Sequence, residues 1–195
     1  MPTETVPASS ARREELLEKA YGYVLEHGLA GMSLRPLAAA VQSSPRVLLF
    51  LFESKDALVR TLLARARADE VRLLKQLEAR SSGGLTRAAG EIWGWLVAAE
   101  HRGLLRLWLE SYSRSLLDPA GPWSGFADAT VQDWLALLAE AQPASERDTA
   151  TGLQRRTLAL ALLRGALLDL LASGDEERTT GAVRAGLAQL DAANP

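Results

Sequence analysis

Side chains able to carry out covalent or metal chemistry are scarce in this chain of 195 residues. It contains two histidines, His27 and His101, and no cysteine, so disulfides, Cys-ligated zinc and thiol nucleophiles are excluded. No Gly-x-Ser-x-Gly, P-loop, His-Glu-x-x-His or Gly-x-Gly-x-x-Gly pattern is present. His27 precedes a glycine that can end a helix, where an imidazole complements the helix dipole. We therefore expect no enzyme activity, no catalytic residue, no metal site and no cofactor.

The net charge of −2 argues against a protein that coats nucleic acid by bulk positive charge. Any contact with DNA has to come from a local basic surface. Met1 to Ser10 is polar and contains proline, which is not the pattern of a secretory signal. The most apolar stretch, Leu158 to Leu171, is too short to span a bilayer and contains Arg164 and Asp169. We expect a cytoplasmic protein without a membrane segment.

Helix formers dominate throughout, and no segment alternates apolar and polar residues long enough to indicate a strand, so the predicted fold class is all-α. Residues 1–10 are predicted to be a disordered arm, and Ser9 or Ser10 a cap for the first helix. That helix should end at His27-Gly28, where glycine tolerates the left-handed conformation. We predict a DNA-binding domain over residues 11–60 and a larger helical domain over 61–195.

Two short helices follow, each with a serine at its predicted start. Ser33 is predicted to cap a helix over 34–41, and Ser44 to cap one that begins at Pro45 and ends near Phe52. Helix, short turn, helix is the geometry that lets a second helix enter the DNA major groove while the first supports it. Many helical proteins contain two consecutive short helices, so the spacing alone does not decide the function.

Further signals divide the rest of the chain. Ser54 should open a long helix that ends at Ser81-Ser82-Gly83-Gly84. Beyond it we predict a helix over 85–102, an interruption at Gly103, and a helix over 104–117. A further helix should start after Gly121-Pro122 and stop at Gln142-Pro143. Ser145 and Asp148 resemble a capping box that opens another long helix. The last predicted helix covers 176–192.

The run from Arg13 through Leu58 resembles the N-terminal domain of TetR/AcrR-family transcriptional repressors. The last matching piece is similar to the family's Phe-x-Ser-Lys-Glu-x-Leu signature. The pieces stand in the family's order: Glu26-His27-Gly28, Met32-Ser33-Leu34 with Leu37-Ala38, Ser44-Pro45-Arg46-Val47-Leu48, and Phe52-Glu53-Ser54-Lys55-Asp56-Ala57-Leu58.

The resemblance implies a role for each matching residue. Ser44 would cap the recognition helix, Pro45 and Arg46 would face base edges, and Lys55 would meet a phosphate at a helix N-terminus. The chemistry agrees, since arginine reads guanine bidentately and a helix start with a lysine attracts anions. By the same reasoning, Ser33 and Arg35 are predicted to contact the DNA backbone.

The predicted recognition helix also departs from the family. Gln42 stands where the family usually has glycine, Leu49 where it has tyrosine, and Leu51 where it has histidine. Because 45–52 is unusually apolar, Leu49 and Phe50 can be packing residues, can touch thymine methyl groups, or can bind a protein partner. The rival interpretation is therefore a helical interaction protein of the same fold that has lost sequence-specific DNA binding.

The family also implies an effector and a dimer. All five tryptophans lie after residue 90, and such aromatic residues suit an apolar or aromatic ligand, although most aromatic residues at helical spacing are plain core. The candidate effector-binding residues are Trp93, Leu96, Trp108, Tyr112 and Trp134. Arg106, Glu110 and Arg114 are candidates for orienting a polar group.

Small residues in the last two predicted helices would let another helix pack closely against them. They suit a homodimer through those helices, which the resemblance also implies. The resemblance further implies a ligand-released repressor that binds a palindromic operator as that dimer. The small residues are Ala159, Ala161, Gly165, Ala166, Gly181, Ala182, Ala185 and Gly186, and the apolar area was predicted to come from Leu160, Leu167, Val183, Leu187 and Leu190. Packing within one chain is the alternative use of these residues.

Overall fold

A computed structural model describes residues 8–29, 32–78 and 84–192, and most of these residues are helical. These ranges contain no strand, and the predicted all-α class is confirmed. None of the helices in them is both long and apolar enough to cross a membrane. The helices are α1 (Ala8–His27), α2 (Leu34–Ala40), α3 (Pro45–Phe52), α4 (Lys55–Glu78), α5 (Leu85–Val97), α6 (Arg102–Leu117), α7 (Phe126–Glu140), α8 (Ala144–Arg147), α9 (Ala150–Ser173) and α10 (Glu176–Ala192).

The chain forms two compact units, each built from two separate stretches of sequence. The first comprises Met1–Asp69 and Arg106–Ala127, and the second comprises Glu70–Leu105 and Asp128–Pro195. The proposed division at residue 60 stays a prediction.

In the first unit, α1, α2 and α3 pack on one another in all three pairs. Their apolar faces follow the helical spacing that the sequence shows, so the buried side chains come from one stripe of each helix. The fully or almost fully buried members are Leu16, Ala20, Val24, Leu37, Ala38, Val41, Leu48 and Phe52.

A polar network ties α1 to the first half of α4. The buried Tyr21 donates from Oη to Asp69 Oδ2 at 2.9 Å, and Arg65 bonds Glu18 at 2.6 Å as well as Asp69 at 2.5 Å. The Arg65 guanidinium also lies over the Tyr21 ring, 4.8 Å from its centroid. Burial, followed by the hydrogen bond to Asp69, raises the pKa of Tyr21. The tyrosine therefore remains protonated, and a donor, to a higher pH than an exposed tyrosine would.

A carboxylate of α6 reaches the backbone just after α1. The Leu29 amide donates to Glu110 Oε2 at 2.8 Å. Gly28 has φ +77°, and a Cβ added there would lie 3.1 Å from the same oxygen. Glycine is therefore suited to this position by both conformation and space, which agrees with the predicted end of α1.

In the second unit, α5, α9 and α10 pack on one another, and α8 packs on α9. The approach of α10 to α9 is close, since a Cβ added to Gly186 would come within 2.7 Å of Leu162 Cδ2. The core of this unit is built from large apolar side chains: Ile92, Trp93, Leu96, Leu160, Leu163, Leu167, Leu170, Val183, Leu187 and Leu190.

Two predicted helix boundaries are wrong, the cap of α1 and the break after α5. Helix α1 begins at Ala8, so Ser9 and Ser10 lie in its first turn and do not cap it. The break after α5 falls at Ala98, followed by a 3-10 turn at Ala99–His101, and Gly103 lies inside α6. Here the carbonyl of Trp95 lies 2.8 Å from His101 Nδ1, and the two rings stack, which stabilises the turn without a glycine.

The long helix α9 is capped by Thr149 rather than opened by Ser145. Thr149 Oγ1 accepts from the Gly152 amide at 2.9 Å, while Ser145 lies in the separate helix α8. Residues 8–10 of the predicted disordered arm belong to α1, so that part of the prediction is wrong. The rest of the arm and the predicted break at 81–83 lie outside the described residues.

Candidate nucleic-acid interface

A tight turn joins α2 to α3. The Ser43 amide donates to the Ala38 carbonyl at 2.8 Å, and the Gln42 amide donates to that of Ala39 at 3.1 Å. This is the hydrogen-bond pattern of a Schellman motif, in which the residue after the cap is left-handed. Gln42 is that residue, with φ +55°. A side chain with a Cβ is strained there, which explains why the family that the sequence resembles favours glycine at this place.

Helix α3 begins and ends where the sequence predicts, and Ser44 is its cap. Ser44 has an extended backbone, and its Oγ accepts from the Val47 amide at 3.2 Å. Pro45 occupies the first helical position, where a missing N–H costs little. The start of the helix is therefore fixed by two adjacent residues.

The burial of two side chains fixes the rotation of α3. Leu48 and Phe52, four residues apart, are buried, and α1 supports the end of the helix because Arg13 bonds the Leu51 carbonyl and lies over the Phe52 ring. At about 100° per residue, Arg46 and Phe50 lie opposite this buried pair. We call the exposed side of α3, formed by Arg46, Val47, Leu49 and Phe50, the outward face.

The outward face is apolar around a single charge. Phe50 is 81% exposed, and Val47 and Leu49 are exposed on either side of it. The sequence did not single out Val47, although the spacing of Leu48 and Phe52 would have placed it there. Pro45 is half-buried at the start of the helix.

The other predicted DNA contacts lie on the helices next to α3 in the chain. Ser33 and Arg35, at the start of α2, are exposed, and so is Lys55, the first residue of α4. Ser54 caps α4 through a 3.0 Å bond from the Ala57 amide. Within the described ranges, no carboxylate forms an ion pair with Arg35, Arg46 or Lys55, in contrast to Arg12, Arg65 and Arg178. Arg35, Arg46 and Lys55 are therefore available to an external anion.

The candidate effector-binding residues are divided between the two units. In the first, Trp108 and Tyr112 are half-buried on α6, with ring centroids 5.2 Å apart. In the second, Trp93 and Leu96 are buried on α5, and Trp134 is buried on α7. Their indole N–H groups have internal partners: Trp93 donates to Thr180 Oγ1 at 3.0 Å, and Trp134 donates to Glu70 Oε1 at 2.7 Å.

Solved structures share this arrangement of helices over nearly their whole length. A TetR-family transcriptional regulator of Cytophaga hutchinsonii has a TM-score of 0.77 at 15% identity, covering 97% of this chain and 98% of that one. A TetR transcription regulator of Haloarcula marismortui has a TM-score of 0.66 at 18% identity, with 94% and 98% covered. The chain has the fold of TetR-family regulators.

The multidrug binding protein EbrR, solved with imidazole, also has this TetR-family fold. Its TM-score is 0.67 at 23% identity, covering 95% of this chain and 97% of EbrR. No protein-family sequence model and no curated protein matches the chain. The likeness therefore rests on the arrangement of the helices.

Within the TetR-family fold, two predicted roles need correction. Leu160, Leu167, Val183, Leu187 and Leu190 were predicted to supply the area of a dimer interface, but they are buried within the chain. Glu110, predicted to orient a ligand, bonds the Leu29 amide instead. Sequence reasoning missed this link because residues 29 and 110 are far apart in the chain.

The two serines at helix starts make a matched pair of variants. We expect Ser44→Ala to lower the free energy of unfolding by about 1 kcal/mol, because the Val47 amide loses its acceptor. Ser33→Ala should change it by less than about 0.5 kcal/mol, because the Ser33 side chain makes no cap bond. Urea unfolding of the full chain measures both. Equal losses from the two variants would contradict the assigned cap.

Proposed function

We propose that the chain is a homodimeric transcriptional regulator that binds a palindromic operator through α3 and is released by a small molecule. The observation that carries the proposal is the outward face of α3, which presents Arg46 on a short, capped helix whose opposite side is held in the core. This is the geometry of a recognition helix. The TetR-family fold itself suggests a transcriptional regulator.

The chemistry divides between reading bases and holding the backbone. Arg46 carries the only hydrogen-bond donors among the side chains of the outward face, so it is the residue suited to guanine O6 and N7. Arg35 and Lys55 are single charges at helix starts and suit phosphates, with Ser33 as a neutral donor. Because the whole chain is slightly acidic, this local group of cations has to supply the attraction.

Arg46→Ala should weaken operator binding by about 30-fold or more, because the dimer loses one bidentate contact of about 1–3 kcal/mol in each of its two half-sites. Preference for guanine at one position of each half-site should also be lost. Fluorescence anisotropy with an operator selected from a random duplex library measures both quantities, and repeating it at rising salt tests for phosphate contacts.

Arg114→Ala is the matched control, since Arg114 is an exposed arginine of the same unit on α6. This variant should bind the operator with the affinity and base preference of the parent chain. If Arg46→Ala and Arg114→Ala had the same affinity and the same base preference, α3 would not be the reading element.

A dimer is supported by exposed stripes on α9 and α10. On α9, exposed small or apolar residues recur at alternating spacings of three and four: Leu158, Ala161, Gly165, Leu168 and Ala172. On α10 the corresponding exposed residues are Gly181, Ala185, Ala188 and Ala192. Such spacing is that of a helix seam, and each stripe lies opposite the buried side of its own helix.

We infer that these stripes meet their copies in a two-fold, four-helix interface. A two-fold dimer presents two identical α3 helices, so its operator is a palindrome with half-sites about 34–36 Å apart. Four of the small residues predicted from the sequence belong to this interface: Ala161, Gly165, Gly181 and Ala185. The large apolar residues predicted beside them are buried within the chain and do not take part.

Leu158→Glu should convert the dimer to monomer at micromolar concentration, because each interface would receive two unpaired charges at a cost of about 3–5 kcal/mol apiece. Multi-angle light scattering measures the mass. Leu116→Glu is the control: Leu116 on α6 is 64% exposed and Leu158 is 60% exposed, so the two charges are equally tolerable in the monomer. A Leu158→Glu chain that stayed dimeric would place the interface elsewhere.

Release by an effector is supported by α6. This helix carries the half-buried pair Trp108 and Tyr112, and between them Glu110, which bonds the backbone after α1. A ligand that displaces α6 would strain that bond. EbrR, a multidrug binding protein, has the same fold, which favours an apolar or aromatic effector. Trp93, Leu96 and Trp134 are weaker candidates, because all three side chains are buried. The indole N–H groups of Trp93 and Trp134 also bond internal partners.

A compound that binds this region should quench tryptophan fluorescence and weaken operator binding in the same concentration range. A panel of apolar and aromatic compounds, titrated first against the protein and then against the protein–operator complex, tests this. Quenching without release from the operator would count against a repressor controlled by that compound.

The exposed phenyl ring of Phe50 favours a second candidate, a helical interaction protein that does not read DNA. Large exposed apolar side chains mark contact sites for other proteins as well as for bases. The library selection separates the two cases, since an interaction protein would enrich no duplex sequence at any salt concentration.

A further inference from the structure

Phe50 lies at the centre of a surface that the fold does not use. It is opposite Leu48 and Phe52, it is 81% exposed, and its side chain has no donor or acceptor. Val47 and Leu49 extend the same surface with further apolar atoms. If α3 reads bases, these three side chains cannot do so through hydrogen bonds.

The major groove offers such side chains one kind of apolar partner. Guanine, adenine and cytosine present nitrogen and oxygen donors and acceptors there, whereas thymine adds a methyl group at C5. Cytosine methylated at C5 carries the same group in the same place. An apolar outward face is therefore complementary to a pyrimidine 5-methyl group.

We propose that Phe50, flanked by Val47 and Leu49, is a reader of pyrimidine 5-methyl groups, and that each half-site holds such a base near the guanine bound by Arg46. This proposal rests on the proposed function and specifies its ligand. Arg46 and Phe50 are one helical turn apart, about 6 Å along the axis. With a base-pair rise of about 3.4 Å, the methylated pyrimidine lies about two base pairs from the guanine.

The charges around the outward face favour DNA over a protein as its occupant. Arg46 shares the outward face with the apolar side chains, and no described carboxylate pairs with Arg46, Arg35 or Lys55. A partner protein would have to neutralise these cations around a phenyl ring. A duplex supplies phosphates and base edges together with the methyl groups of thymine.

The experiment replaces single thymines of the selected operator by deoxyuridine, which removes only the 5-methyl group. At one position of each half-site we expect the dissociation constant to rise about 3- to 5-fold, the effect of losing one buried carbon group. Replacing that T·A pair by C·G and by 5-methylcytosine·G distinguishes the sources of the methyl group. If the 5-methylcytosine duplex bound more tightly than the thymine duplex, the site would be assigned to methylated cytosine.

Variants of the protein connect the effect to Phe50. Phe50→Ala should bind the thymine and deoxyuridine duplexes equally. Leu117→Ala is the matched control, because Leu117 is an 83% exposed apolar residue of the same unit on α6, and it should keep the parent's discrimination. Circular dichroism melts should show the parent fold for both variants, as neither side chain is buried.

Three outcomes would overturn the proposal, and they are distinguishable from one another. Specific operator binding with equal affinity for thymine and deoxyuridine at every position would reject the methyl reader and leave the proposed regulator standing. Failure to enrich any duplex in the selection would reject both, and would assign the outward face to a protein partner. Discrimination that survived in Phe50→Ala would also reject the role given to Phe50.

Discussion

The orientation of α3 depends on the burial of one pair of side chains, Leu48 and Phe52. An eight-residue helix has little stability by itself, so packing and end contacts have to hold it. The buried pair fixes its rotation, the Ser44 cap fixes its first residue, and the Schellman turn at Gln42 fixes its direction. With rotation, start and direction set, the residues that face outward are also set. Every inference about what α3 binds follows from that constraint.

Helix α1 holds this arrangement in place through polar bonds as well as apolar packing. Arg13 bonds the Leu51 carbonyl at the end of α3, Tyr21 bonds Asp69 on α4, and the Leu29 amide just after α1 bonds Glu110 on α6. The bonds of Tyr21 and Leu29 are shielded in part from water, so a displaced partner would leave a donor or acceptor with a poorer substitute. Helices α4 and α6 are both bonded to α1 or to a residue just after it, and α1 bonds the end of α3. These bonds give a conformational change in α4 or α6 a physical route to the candidate interface.

The sequence predicts best where the signal is local. The bounds of α3 and α10 follow from adjacent residues, such as Ser44 with Pro45, whose side chains or dihedral angles act directly on the backbone. The break at Ala98 has no such residue, since it is stabilised by the stacking of Trp95 on His101 across the turn. Leu160 and Leu187 were assigned to the wrong contact because apolar residues occur on both sides of α9 and α10. Only the packing of the two helices decides which side is buried.

The chain also shows where a fold leaves room for function. Phe50 is 81% exposed and so contributes little buried area, and aromatic residues are weaker helix formers than leucine or alanine, so the side chain has no evident part in folding. Gln42 is strained at a turn where glycine would be relaxed. Local choices that oppose stability are expected where a surface meets a ligand. Both of these lie on the α2–α3 segment, at its turn and on its outward face, which is why the case for recognition is strongest there.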